Sequence, residues 1–443
     1  MRDLCAVALG LAMVACDIAA GGVESFQTTA PSKTTKKKKT APASAPPSPA
    51  ARAAAARTVD AYLAGSTASP CEQPGARAPR CEQLLRLSSG SEADHPAVHI
   101  VHFGDSHTAA DEWTGGLRDL FKARFGDGGS GFSLAGRPFP GYRRFDARGS
   151  ATSGWSSEGG HTGKGDGYFG LGGVGVYTDR PGQSVSLEAD CTRIEIQFLR
   201  QPGGGRLALY DGDEYLEEIS TDGDLGPGFV TYATPAGAHR FVLKTLDRGP
   251  VRLFGWVADK PGGVTYEALG LNGAEASVIL KWDGAMFATY LGRRDPALIV
   301  LAYGTNEASD PAWTQDSYRD MFARLVERLR EDAPTATILA LGPADRWGVV
   351  RGRWQINTGI DGIIAGQKAV CRKLGCAYWD TRARMGGPGS MRDWLTAGLS
   401  QNDRVHFTAA GYSRLASTLF ADLMEQYEVY RQARLESSDQ EKP

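Results

Sequence analysis

The sequence predicts an α/β fold: a parallel sheet with helices on both faces, interrupted by an inserted β-sandwich or jelly-roll module. Three observations carry this expectation. Apolar, β-branched runs alternate with helical patterns in the first and last thirds of the chain, as strands joined by crossover helices do. Between about Phe145 and Lys260 that alternation gives way to short β runs set off by Gly, Asp and Pro turns, the texture of a sandwich. The chain has 443 residues and 42% hydrophobic content, enough for two or three domains with real cores.

The elements follow in order. Residues 1–15 contain one early Arg and an apolar run from Ala6 to Ala15, too short to span a bilayer and typical of a secretory signal. Cys16 directly after "MVA" resembles the bacterial lipoprotein processing site, which implies lipidation there and a membrane anchor; the alternative is an ordinary secretory signal that contains Cys16. Residues 16–55 are rich in Ala, Pro, Ser, Thr and Lys, with "KKKK" at Lys36–Lys39. Such a stretch cannot bury a core and reads as a tether, with a flexible-coil reach of about 30–36 Å. Export to the cell envelope, facing the periplasm or the cell surface, is the expected location.

The first part of the α/β domain spans 56–144. It opens with two helix-like segments, "RTVDAYLAG" and "CEQLLRLSS", and a buried strand, "AVHIVHF". A helix with Trp113, Leu117, Leu120 and Phe121 at helical spacing follows and stops at Gly126. The inserted module occupies 145–260, with runs such as "SVSLEA", "TRIEIQFL" and "VRLFGWV". From 261 to 435 strands and helices alternate again through "VTYEALG", "ALIVLAYG", "ATILALG" and "CAYWD", and 436–443 is a polar tail. We find no internal repeat.

A formal net charge of −2 and the lack of a basic stripe interleaved with aromatics in the folded part provide no field for a phosphate backbone, so nucleic acid is not expected as a partner. In an oxidising compartment the cysteines have two readings. Cys71 with Cys81 and Cys371 with Cys376 are candidate local disulfides, leaving Cys191 over, or all five are reduced and buried.

Four pieces carry chemistry. "HFGDSHTAAD" places Ser106 at the carboxyl end of the first strand, where open α/β sheets bind ligands. "GLNGA" contains Gly273, "YGTNEA" contains Asn306, and "DRVHFTAAGY" contains Asp403 and His406. A serine hydroxyl needs a base, and His406 titrates in the right range. Asp403, three positions earlier, can turn back to orient the imidazole. A tetrahedral intermediate needs donors, which the N–H groups of Ser106 and Gly273 and the Asn306 amide can supply as an oxyanion hole. Asp105, His107, Met385 and Gly386 are further pocket candidates. His99 and His102 differ by three positions on one strand and so face opposite sides; no metal or other cofactor is required.

In this order the four blocks resemble the SGNH (GDSL-type) hydrolases, from Val98 to about Leu423 apart from the β insert. The resemblance implies a flavodoxin-like three-layer fold and a serine esterase. Glu307 stands where that family usually has Asp. Ser106 and Gly273 lie much further apart than one strand-helix-strand unit needs, and this interrupted plan resembles the peptidoglycan O-acetylesterases of the SGNH type. "GDSHTAAD", "RFGDGGSGF", "LGLNGA" and "YWDTRARMGGPGSMRDWL" agree with it. It implies removal of acetyl from an O-acetylated glycan, peptidoglycan above all, through an acetyl-Ser106 intermediate, with the insert presenting glycan or shaping the cleft. A glycan O-acetyltransferase, an esterase of another acetylated polysaccharide, and a non-catalytic glycan-binding envelope protein are the competing readings.

Overall fold

The structure, a computed structural model, describes residues 46–65 and 97–440. Cys16, Cys71, Cys81 and the segment "CEQLLRLSS" lie outside the described residues. Helix α1 (Pro49–Ala64) begins earlier than the tether's expected end at 55. Its sequence explains this: the Ser48 hydroxyl accepts from the Ala51 N–H at 3.2 Å, Pro49 fills the first turn, and alanines follow. Tertiary contacts then hold it, with Val59 buried and the Tyr62 hydroxyl donating to Asp393 at 3.0 Å.

Five strands, β1 (Val98–Gly104), β11 (Val264–Gly270), β12 (Leu298–Ala302), β13 (Thr337–Leu341) and β16 (Ala377–Trp379), form a wholly parallel sheet in the order β11-β1-β12-β13-β16. Counted within this sheet alone the order is 2-1-3-4-5, the flavodoxin-like winding with its switch point between β1 and β12. Side chains alternate between two cores, as a period of two requires. Ile299 and Leu301 face one core, which buries helices α4 (Gly284–Arg294), α5 (Gln315–Asp332) and α6 (Gly359–Leu374). Leu298 and Val300 face the other, which buries α3 (Glu112–Phe125) and α9 (Ala409–Gln440). The three-layer α/β fold expected from the sequence is present, with the β module inserted between β1 and β11.

The module's strands are β2 (Gly129–Leu134), β3 (Arg148–Ala151), β4 (Ser156–Gly159), β5 (Val174–Thr178), β6 (Ser184–Arg200), β7 (Arg206–Asp211), β8 (Glu214–Ser220), β9 (Gly226–Thr245) and β10 (Val251–Asp259). All nine join one hydrogen-bonded antiparallel network around a core of its own that includes Leu187, Ile196, Leu209, Phe241 and Trp256. Strand β2 pairs with β10, so the network reaches back before Phe145, where the sequence texture changes. The long strands β6 and β9 pair along most of their length, with a bulge between Cys191 and Arg193.

The candidate Cys371–Cys376 disulfide is not formed: both residues are buried free thiols, as is Cys191. Their closeness has a backbone cause. Helix α6 ends with Gly375 in the left-handed region, and the N–H groups of Gly375 and Cys376 both bond the Cys371 carbonyl, at 2.8 and 3.0 Å. This helix stop brings the two flanking side chains into contact whatever their oxidation state.

Candidate active site

Strand β1 ends at Gly104, and Asp105 caps the single-turn helix α2 (Ser106–Ala109), its Oδ1 accepting from the His107 N–H at 2.9 Å. The turn is tight because two glycines make room. A Cβ on Gly104 would fall 2.1 Å from the Thr108 hydroxyl oxygen, and one on Gly270 would fall 2.1 Å from the Ala109 nitrogen. Ser106 therefore emerges at the carboxyl edge of the sheet, directly at the switch point.

The structure brings Ser106 to His406 and Asp403, almost 300 residues later in the chain. Ser106 Oγ lies 2.8 Å from His406 Nε2, and His406 Nδ1 lies 2.7 Å from Asp403 Oδ2. The other oxygen of Asp403 accepts from the N–H groups of Val405 and His406, each at 3.0 Å. Burial pushes the Asp403 carboxyl up, but the bonds from His406 and the two N–H groups outweigh it and hold the carboxyl below its ordinary value. A carboxylate fixed in this way orients the ring and stabilises its protonated form.

Gly273 sits in the turn after β11 with φ +76°, a left-handed conformation that suits glycine. Asn306 follows β12, and its Nδ2 donates to the Ala274 carbonyl at 2.8 Å. That bond joins the Gly273 and Asn306 loops, and the amide keeps a second hydrogen for an oxyanion.

Glu307, whose role the sequence left open, braces the same two loops. Its Oε1 accepts from the Ala276 N–H at 2.8 Å and its Oε2 from the Gly304 N–H at 3.0 Å. Burial nevertheless pushes its carboxyl up to about 8, with nearby Asp105 adding to the shift. Asp105 is itself pushed up to about 6 by burial.

His107 packs against the base, its ring centroid 4.9 Å from that of His406, while its Nδ1 contacts the Tyr412 hydroxyl at 2.8 Å. Burial lowers it to about 3, so it is neutral and acts as a wall. His99 and His102 do diverge: His102 contacts the Tyr266 hydroxyl, and His99 contacts Thr265 and Arg294.

Met385 and Gly386 do not line the site. Met385 is fully buried in the core beside Trp394, whose indole N–H donates to the Met385 carbonyl at 3.1 Å. Gly386 lies against Tyr62 of α1, where a Cβ would come within 2.4 Å of the ring. The Gly-rich turn thus serves docking of the N-terminal helix.

Three residues near the site carried no local signal in the sequence. Arg346 donates to the Thr305 carbonyl, one residue before Asn306. Arg404 has φ +56° and places its guanidinium over Trp347 and Trp354, 5.2 and 4.4 Å from the ring centroids. These tryptophans belong to a hairpin of β14 (Trp347–Val350) and β15 (Arg353–Ile356), which thereby holds the loop bearing Asp403 and His406. His161, from the module, approaches the Gly273 turn.

A doubly wound sheet with a hydrogen-bonded Ser–His–Asp series at its switch point has the parts that acyl transfer to a serine needs. Residues 234–414 match the GDSL-like lipase/acylhydrolase family. The match starts inside β9 and does not include the Ser106 block. A solved peptidoglycan O-acetylesterase is 25% identical, with a TM-score of 0.67 over 84% of this chain and 98% of that one. A family two carbohydrate esterase from Cellvibrio japonicus is 13% identical, with a TM-score of 0.27 over 63% of this chain and 97% of that one. A comparison with curated proteins gives no match. Over residues 234–414 the chain is similar to the GDSL-like lipase/acylhydrolase family, and this likeness together with that to the O-acetylesterase supports an esterase.

Proposed function

We propose that the chain removes O-acetyl groups from a cell-wall glycan, peptidoglycan above all, by serine catalysis. The reading is carried by the Ser106–His406–Asp403 series beside the Gly273 and Asn306 loops. The likeness to a peptidoglycan O-acetylesterase over most of the chain supports its substrate. Ser106 Oγ attacks the acetyl carbonyl carbon while His406 Nε2 takes the hydroxyl proton. The oxyanion is held by the N–H groups of Ser106 and Gly273 and by the Asn306 amide. His406 then gives its proton to the departing sugar oxygen, leaving acetyl-Ser106. Water, deprotonated by the same imidazole, attacks the acetyl group and releases acetate with the serine restored. Export and lipidation at Cys16 keep the enzyme at the envelope, within a tether's reach of its substrate.

The test is acetate release from O-acetylated peptidoglycan by the full chain and by Ser106→Ala. Release by the native chain, reduced by about 10⁴- to 10⁶-fold in the variant, is the expected result. Cleavage of a small acetyl ester but not of the wall would overturn the substrate; a native chain silent on both would overturn the esterase mechanism.

A further inference from the structure

A cavity of about 300 Å³ lies where the module meets the hydrolase, at the small end of the range for ligand pockets. From the module it is lined by Ser157, Glu158 and His161, and from the hydrolase side by Leu271 and Asn272, with Phe139 between. It adjoins the reaction centre: Asn272 immediately precedes Gly273, and a Cβ on Gly273 would stand 3.9 Å from the His161 ring.

The polar groups of this wall select a ligand class. Among the described residues no Lys or Arg lines it. Asn272 donates one amide hydrogen to the Pro140 carbonyl at 2.9 Å, which leaves its carbonyl oxygen and its second hydrogen for a ligand. Glu158 contributes acceptor oxygens too, and its charge is met by Arg252 at 3.3 Å. A wall that sets acceptor oxygens beside the Ser157 hydroxyl and the His161 ring, with no Lys or Arg to pair an anion, suits the hydroxyl and amide groups of a sugar, which both donate and accept, better than a carboxylate or phosphate. Phe139, set edge-on against Tyr142 at 5.5 Å between centroids, gives an apolar surface for the C–H face of a sugar ring.

Resting on the proposed function, we infer that this cavity is a subsite for an uncharged pyranose of the glycan chain, adjoining the acetylated residue at Ser106. The module then forms one wall of the cleft. His161 is a specificity residue at the border between the cavity and the oxyanion hole.

The test separates this inference from the esterase reading by measuring binding without turnover. Chitotriose, an uncharged N-acetylated amino-sugar oligomer, is titrated calorimetrically into the full-length Ser106→Ala chain. The same titration is run with Ser157→Trp or His161→Ala added. Ser157 is an exposed strand residue, and an indole there fills the cavity. We expect Ser157→Trp to weaken binding by at least about tenfold, and His161→Ala by about three- to tenfold, the loss of one hydrogen bond. Circular dichroism confirms folding of each variant. Equal affinity in a folded Ser157→Trp variant overturns the inference, as does absence of binding to the parent. If the sugar binds and Ser157→Trp abolishes it, the subsite stands even where the active chain releases no acetate from the wall; that failure would fall on the proposed function alone.

Discussion

Glu307 commits both carboxylate oxygens to backbone N–H groups of two loops, at Ala276 and Gly304, yet burial raises its titration from 4.5 to about 8. Between those values the folded chain keeps a proton that the unfolded chain releases, so stability falls as pH rises through this window. Glutamine cannot titrate, and its amide leaves one of the two N–H groups without an acceptor. The difference in Tm between the native chain and Glu307→Gln should therefore narrow as pH is raised from 4.5 to 8. A constant difference would show that Glu307 titrates normally. In Asn306→Ala one oxyanion donor is lost, and kcat on a small acetyl ester should fall by about 10²- to 10³-fold; a smaller loss would remove Asn306 from the oxyanion hole. Ser106, Gly273, Asn306, Asp403 and His406 were legible because each sits in a short block with its own chemical logic. Glu307, Arg346 and His161 were not, because their partners lie on other loops or in the other domain, and spacing in the sequence does not encode those meetings.

At the scale of elements, the strands of the parallel sheet declared themselves through burial. Strands such as β12 and β13, covered on both faces, read as unbroken apolar runs. The hairpin of β14 and β15 left no such imprint, since Val349, Val350, Trp354 and Ile356 are exposed and no buried face imposes a period. The start of α1 was hidden in another way: low complexity suggested a tether, while the same alanines form a helix once it has a surface to dock on. The glycines at the strand ends yield a prediction. Gly270→Ala would drive a methyl group into the Ala109 backbone, 2.1 Å away, in a place where neither strand nor helix can give. Overpacking of this kind costs about 1–3 kcal/mol. Because α2 carries Ser106, Tm and kcat should fall together; an unchanged kcat in a destabilised variant would mean that α2 shifts without moving the nucleophile.

Across the whole molecule, the module and the hydrolase are joined by buried charge. Arg294 of α4 is 3% exposed and bonds Asp259 at the end of β10 and Glu267 in β11, with Nη1 3.0 Å from Asp259 and Nε 3.1 Å from Glu267. One helical turn away, the Tyr290 hydroxyl contacts the Phe198 and Gly228 carbonyls of the module, at 2.8 and 2.9 Å. The change of texture near Phe145 revealed the insert, but these joints were invisible, because nothing in the spacing of Asp259, Glu267 and Arg294 along the chain shows that they meet. Replacing Arg294 with Met would leave buried Glu267 without its arginine and Asp259 with Arg193 alone, at 3.2 Å, a change that typically costs about 3–5 kcal/mol. Burial pushes Asp259 up, but Arg294, with help from His99 and Arg193, outweighs it and holds the carboxyl below 3.8, so this stabilisation is present above that value and lost as pH falls through the folded one. Calorimetry should give a single transition for module and hydrolase together in the native chain. Arg294→Met should lower its Tm at pH 7, and the deficit should close as pH is taken below 3.8. Two separate native transitions, or a deficit independent of pH, would mean that the module is hung on the hydrolase without sharing its stability. A wall of the cleft that moved so freely could not hold a sugar ring in register with Ser106.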